Sequence, residues 1–181
     1  SKEDILRELR DRVERIKREI EKIFRDAKRL SEEVKRRIED LLRKLKKVSD
    51  DVRERLARKP DTEELRKLVE ELERDSERLK KEIKDLVREL DEHSKELLTR
   101  IRKLLKELEE RVRELEELIK RGDLSEEELK ELIKRLVEDA KRILEELKKL
   151  LDDHERKARR ILERIEKLIK EHEDKARERE R

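Results

Sequence analysis

Residues Ile83–Arg100 read IKDLVRELDEHSKELLTR. The apolar side chains of this 18-residue stretch recur at a helical spacing, from which the rest of the chain can be understood. Its core positions, three or four residues apart, are Ile83, Leu86, Leu90, Ser94, Leu97 and Ile101. Their average step is about 3.6 residues, the number in one turn of an α-helix. A heptad repeat averages about 3.5 and imposes a left-handed supercoil, so this period predicts nearly untwisted helices.

The same 18-residue unit recurs along the chain. Neighbouring copies lie at Leu65–Glu82 and Ile101–Leu118, three more lie before residue 58, and three follow residue 124. The twelfth position of the unit is unusual because it is apolar in one copy of each helix and polar in the other two. In chain order, the twelfth positions are Val13, Ser31, Ser49, Ser76, Ser94, Val112, Leu136, His154 and His172.

The composition by itself resembles that of a disordered chain, since 61% of the 181 residues are charged and 31% are hydrophobic. Two features argue for a folded protein instead. The formal net charge is only +3, from 57 basic and 54 acidic residues, and the apolar residues are periodic. We therefore expect an all-α protein.

Several classes of partner are not expected. Acidic residues are interleaved with the basic ones throughout, which weakens a nucleic-acid interpretation. No run approaches the roughly 18 apolar residues of a membrane span, and no signal peptide is recognised. The absence of cysteine removes disulfides and thiolate metal sites. We expect no cofactor, no required partner and no membrane or nucleic-acid binding, while the cellular location stays undetermined.

The helix boundaries follow from capping residues and helix breakers. Pro60 cannot continue a helix interior, and Gly122 suits a left-handed C-terminal cap. The expected N-caps are Ser1, Asp61 and Ser125. The predicted helices are 2–58, 62–121 and 125–181.

The short connections predict antiparallel neighbours in up-down-up order. The apolar stripe of each helix covers only about 120° of its circumference, the arc that faces two neighbours. The sequence therefore predicts residues 1–181 to form one straight three-helix bundle. We expect a monomer, with a designed oligomer as the alternative.

The shared period predicts three layers of twelfth positions, one residue from each helix. The apolar layer is Val13, Val112 and Leu136, and the two polar layers are Ser31, Ser94 and His154, and Ser49, Ser76 and His172. His93 and Asp75, at the stripe edge, would extend the polar layers. One imidazole and two hydroxyls can satisfy one another, because serine both donates and accepts. A slipped helix would instead set a histidine against leucine, so we interpret the layers as specifying register.

In these features the chain resembles de novo designed, parametrically built helical bundles with buried hydrogen-bond networks. The resemblance covers the whole sequence and rests on the 18-residue period, the idealised caps, the minimal loops, the Glu/Lys/Arg surface and the layered Ser and His positions. It implies a structural scaffold without natural biochemical activity, and it transfers no active site. A component of a designed assembly, or a pH-responsive interaction module, is the alternative.

Three specific functional interpretations, which are a catalytic triad, a zinc site and an adhesion motif, have less support than the structural one. Ser49, Ser76, His172 and Asp75 contain the residue types of a catalytic triad, but catalysis would also need an oxyanion hole and a substrate cavity. His93 and His154, with Glu89, make a poor zinc set, since a closed zinc site takes four ligands. Arg121-Gly122-Asp123 spells an adhesion tripeptide, yet helix-end chemistry accounts for each letter. We therefore expect no catalytic, cofactor-binding or metal residue.

The predicted helix lengths make the overall dimensions testable. Nearly 60 residues at 1.5 Å per residue give a rod about 90 Å long. Small-angle X-ray scattering should show that length, one compact cross-section and the mass of a single chain. A globular particle of half the length would contradict the architecture, and a doubled mass would contradict the monomer.

Overall fold

A computed structural model describes residues 1–180, and for Glu180 the backbone alone. Its helices are α1 (Lys2–Ala57), α2 (Glu63–Arg121) and α3 (Glu126–Glu180). The three helices pack against one another, and the described residues contain no strand. The expectation of an all-helical chain with three packed helices is thus confirmed. Arg181, the last residue of the predicted third helix, lies outside the described residues.

Serine hydroxyls cap the first and third helices as expected. The amide of Asp4 donates to Ser1 Oγ at 3.3 Å, and the amide of Glu128 donates to Ser125 Oγ at 3.1 Å. Each bond satisfies one of the amides that a helix leaves unpaired in its first turn. The local sequence therefore explains where α1 and α3 begin.

The expected cap of the second helix, Asp61, is wrong. The hydroxyl of Thr62 accepts the amide of Leu65 at 3.1 Å, so Thr62 is the N-cap and α2 begins one residue later. The Asp61 carboxylate instead accepts two hydrogen bonds from the Arg66 guanidinium, at 3.0 and 2.9 Å. This bond lowers the pKa of Asp61. A forked guanidinium suits a carboxylate better than a single amide does, and Thr62 is the next side chain able to cap.

Gly122 ends α2 in the left-handed conformation, with φ of 74°. Its amide donates to the carbonyl of Ile119 at 3.2 Å, as in a helix C-cap. Its own carbonyl accepts from Lys2 Nζ at 3.3 Å, so the start of α1 helps to hold this turn. Nothing lies within 4 Å of a Cβ built at Gly122, so the requirement for glycine is one of backbone conformation.

The chain divides into two compact units. Unit 1 comprises Ser1–Arg29 and Ser94–His154. Segments of all three helices bury one continuous apolar cluster in it, with Leu9, Leu108 and Leu147 fully inaccessible to solvent. Val13, Val112 and Leu136 all belong to this cluster. Leu124, just before α3, packs against this cluster, to which Leu129 also belongs.

Unit 2 comprises Leu30–His93 and the described residues from Glu155 onward. Its buried apolar residues form two clusters rather than one. The larger is Val34, Ile38, Leu41, Leu45, Leu79, Ile83, Leu90, Ala158, Ile161, Ile165 and Ile169. The smaller is Val52, Leu56, Leu72 and Ala176, with Val48, Leu65, Leu68 and Val69 packed on it. On each helix a polar residue lies between the two clusters.

Ion pairs join neighbouring helices along the solvent-facing edges. In unit 1 they are Arg10–Glu116, Lys17–Glu109, Arg100–Glu146 and Arg111–Asp139. In unit 2 they include Lys35–Asp91, Arg53–Glu73, Lys157–Glu89 and Arg164–Glu82. Exposed pairs contribute little energy each, about 0–1 kcal/mol. The apolar clusters therefore provide most of the stability.

The capping assignment of α2 can be tested by comparing two neighbouring residues. Thr62→Ala removes the hydroxyl that accepts the amide of Leu65 and should lower the free energy of unfolding by about 1 kcal/mol. Asp61→Ala removes only an exposed ion pair and should cost less. Chemical denaturation of both variants measures the difference. A larger loss for Asp61→Ala would restore Asp61 as the cap.

Candidate functional site

The polar residues of unit 2 lie between its two apolar clusters, one on each helix. They are Ser49 on α1, Ser76 on α2 and His172 on α3. Each has buried apolar residues three and four positions away on its own helix, which are Leu45 and Val52, Leu72 and Leu79, and Ile169 and Ala176. Because these spacings keep a residue on the apolar stripe, the helical period turns all three side chains inward.

The three side chains surround one small cavity. Its volume is about 30 Å³, and its lining consists of Ser49, Val52, Arg53, Leu56, Val69, Leu72, Glu73, Ser76, His172 and Ala176. Ser76 and His172 are each 8% exposed. The structure thus places the predicted members of this layer around one space, with polar groups from all three helices and apolar walls between them.

The hydrogen bonding of the layer differs from the expected closed set. The Oγ atom of Ser49 is buried and has no hydrogen-bond partner among the described residues. Ser49 lines the cavity together with Ser76 and His172, and no hydrogen bond joins its Oγ atom to either of them. A buried hydroxyl without a partner costs about 1–3 kcal/mol, so this position demands an explanation.

Asp75 is near His172, and it also binds a residue that sequence reasoning missed. Its carboxylate accepts a hydrogen bond from Arg179 at 3.4 Å, and Arg179 pairs with Glu71 at 3.2 Å. The charge of Asp75 acts on His172 and favours its protonated form. Arg179 could have been found from the sequence, because it lies seven residues after His172 and so on nearly the same face of α3.

Burial dominates the protonation of His172. Loss of hydration lowers the pKa of this imidazole below its ordinary value of 6.5. Asp75 on α2 raises the pKa, and Lys175 on α3 lowers it, and both effects are smaller than that of burial. The neutral form is therefore favoured in the folded protein.

The other predicted polar residues are divided between the units. Ser94 and His154 lie in unit 1, whereas Ser31 and His93 lie in unit 2. His154 is fully buried, and Ser31, His93 and His154 take part in buried side-chain hydrogen bonds. That these four residues form a single layer stays a prediction.

The cavity walls contain further residues that were not predicted from the sequence. Ala176, a small residue one turn after His172, is one of them. A signal was present, because Ala140, Ala158 and Ala176 recur at the 18-residue spacing. Arg53 and Glu73 also line the cavity and pair at 3.4 Å, from α1 to α2.

The structure shows where the residues of the triad, zinc-site and adhesion interpretations lie. Around His172, the Asp75 carboxylate bonds to Arg179 and the Ser49 hydroxyl has no partner, which differs from the linked hydrogen bonds of a Ser-His-Asp triad. Within the described residues, no group of three or more His, Cys, Asp or Glu side chains is arranged to hold a metal ion. Arg121 and Asp123 are exposed on either side of Gly122.

Comparison of the chain with protein-family models, curated proteins and solved structures found no match. Over residues 1–180, none of the helices contains a stretch apolar and long enough to cross a lipid bilayer.

The depressed pKa of His172 predicts acid sensitivity. The unfolded chain takes up its proton near pH 6.5 and the folded chain only at lower pH, so the contribution to stability is complete above about 6.5 and declines as the pH falls toward the folded value. The denaturant midpoint should therefore be lower at pH 5 than at pH 7.5. His172→Leu should reduce this drop, and Asp75→Asn should enlarge it by removing the charge that favours the imidazolium.

The two variants change the acid-induced drop in opposite directions. This distinguishes the titration of His172 from that of the other groups in the protein. If the midpoint rises on acidification, or if His172→Leu leaves the drop unchanged, His172 is not the buried neutral group described here.

Proposed function

We propose that this protein is a structural scaffold of the de novo designed, parametric three-helix-bundle type, without natural biochemical activity. Its buried Ser and His positions serve to specify how the helices are aligned. The observation that carries the proposal is the interruption of the unit 2 core by Ser49, Ser76 and His172, one from each helix.

The up-down-up arrangement that the proposal assumes is supported by the ion pairs within each unit. The residue numbers of the α1–α2 partners add to 126 for Arg10–Glu116 and Lys17–Glu109 in unit 1. They add to the same value for Lys35–Asp91 and Arg53–Glu73 in unit 2. A constant sum is the property of two segments that run antiparallel in a fixed register.

The cost of the polar layer is what makes specificity its best explanation. Buried polar groups are less stabilising than well-packed apolar residues of similar volume, and the Ser49 hydroxyl has no hydrogen-bond partner among the described residues. A layer that lowers the stability of the correct structure still favours that structure if it lowers the stability of misaligned structures by more. Sliding α3 by one turn would move His172 from the cavity into one of the apolar clusters and bury its ring nitrogens without partners.

The size of the cavity also favours a scaffold over an enzyme or receptor. Small-molecule sites usually occupy several hundred Å³, roughly 300–1,000 Å³. The space between Ser49, Ser76 and His172 is about 30 Å³, too little for an organic substrate. A groove of about 560 Å³ that Ser49 and Ser76 also line does not include His172 in its lining. Among the described residues, Leu118 is the one large apolar side chain that is strongly exposed, at 40%. This surface is consistent with the monomer that we propose.

Replacing the layer tests the proposal. The triple variant Ser49→Val, Ser76→Ala and His172→Leu fills the cavity with apolar groups and removes the polar requirement. We expect its denaturant midpoint to be equal to or above that of the parent, because burial of apolar area replaces unsatisfied polar groups. We also expect a less unique structure, visible as additional or broadened amide peaks in ¹H–¹⁵N correlation spectra.

A matched variant in unit 1 controls for core repacking. Val13→Ile with Val112→Ile alters twelfth positions that are already apolar, and it should retain a single set of amide peaks. The register role is refuted if the triple variant unfolds or loses stability, because the layer would then be a stabilising device. It is equally refuted if the triple variant is as well ordered as the parent.

A further inference from the structure

The hydroxyl of Ser49 is unsatisfied. Its Oγ atom is buried, has no partner among the described residues, and belongs to the lining of the 30 Å³ cavity. A hydroxyl carries one donor and two acceptor sites, and all of them lose hydration when the helices close around it. Such a group is normally satisfied by protein or by ordered water.

The cavity has the right size for water and for little else. A site needs at least about 10–15 Å³ of accessible volume to hold one water molecule, and the cavity provides about 30 Å³. Organic ligands are too large for it. A dry cavity would be expected only if the walls were entirely apolar, as in engineered leucine-lined cavities.

Polar groups from three directions converge on this space. Ser76 supplies a second hydroxyl from α2, and His172 supplies ring nitrogens from α3. A buried water typically makes two to four hydrogen bonds, roughly the number these groups offer together with Ser49. Its ability to donate and accept lets it join hydroxyls to a neutral imidazole in either tautomer. The rest of the lining includes apolar residues, among them Val52, Leu56 and Leu72.

A groove between α1 and α2 adjoins the cavity and gives water a path of entry. Ser49, Ser76, Arg53 and Glu73 line both the cavity and a groove between α1 and α2. The groove continues past charged side chains, which are Lys46, Asp50, Glu77, Lys80 and Lys84. Water can therefore reach the cavity by movement of a few side chains, without separation of the helices.

We infer that the cavity between Ser49, Ser76 and His172 is a binding site for one internal water molecule that bridges the three side chains. The layer is then a hydrated one, in which the water completes the hydrogen bonds that the hydroxyls and imidazole do not make directly. This inference is independent of the proposed scaffold role, because it concerns how the layer is satisfied, whatever the layer is for.

Oxygen-17 magnetic relaxation dispersion tests the site, since it counts water molecules that stay bound long enough to tumble with the protein. The parent should show a dispersion amplitude larger by one water than that of Ser49→Val, whose added methyl groups occupy the cavity. Thr99→Val is the control, because it removes an exposed hydroxyl and should leave the amplitude unchanged. An equal amplitude in parent and Ser49→Val overturns the proposal.

A second variant keeps the test decisive if valine disturbs the fold. Ser49→Ala deletes the hydroxyl but leaves the room. If the cavity is dry, this change removes an unsatisfied buried group and the denaturant midpoint should rise. If a water bridges the layer, the water loses a partner and the midpoint should stay the same or fall. A rise therefore overturns the proposal, and its absence supports it.

Discussion

Burial of one narrow apolar stripe per helix is the constraint on which the rest of the structure depends. With 61% of residues charged, each helix has only this stripe to remove from water. Because the stripe repeats at about 3.6 residues per step, it stays on one side of a long helix. The surface charges then pair across helix edges, as Arg100 and Glu146 do at 2.6 Å, and the caps set where each helix begins and ends.

The core of unit 2 shows what happens when such a stripe is interrupted. Ser49, Ser76 and His172 take positions that apolar residues hold elsewhere in the repeat, and the apolar residues separate into two clusters around them. The interruption has an electrostatic side as well. Burial lowers the pKa of His172 and so favours its neutral form, while Asp75, which is paired with Arg179, opposes that preference. Packing, hydrogen bonding and protonation are therefore coupled at this level of the unit.

The small residue in the cavity wall and the unpaired hydroxyl occur at the same place in unit 2. Ala176 and His172 line the same cavity as Ser49, whose hydroxyl has no partner among the described residues. The internal water that we infer accounts for both features, since it occupies the cavity and satisfies the hydroxyl. On this view the polar layer depends on hydration as well as on direct side-chain contacts.

Local sequence determined the helical state, the inward position of Ser49, Ser76 and His172, and the caps at Ser1, Ser125 and Gly122. These features depend on neighbours within a few residues, where spacing and side-chain chemistry act directly. The prediction of the α2 cap was wrong because Asp61 and Thr62 are both able to cap a helix. The Arg66 guanidinium binds the Asp61 carboxylate, and the Thr62 hydroxyl caps the helix instead. Only the tertiary structure decided that Ser49 is unsatisfied, that Arg179 holds Asp75, and that unit 2 contains a cavity. The periodicity specifies the angle of a side chain around its own helix axis. The cavity, the unsatisfied hydroxyl and the Arg179–Asp75 contact depend instead on the distances between helices, and these distances are set by the packing of the three helices together.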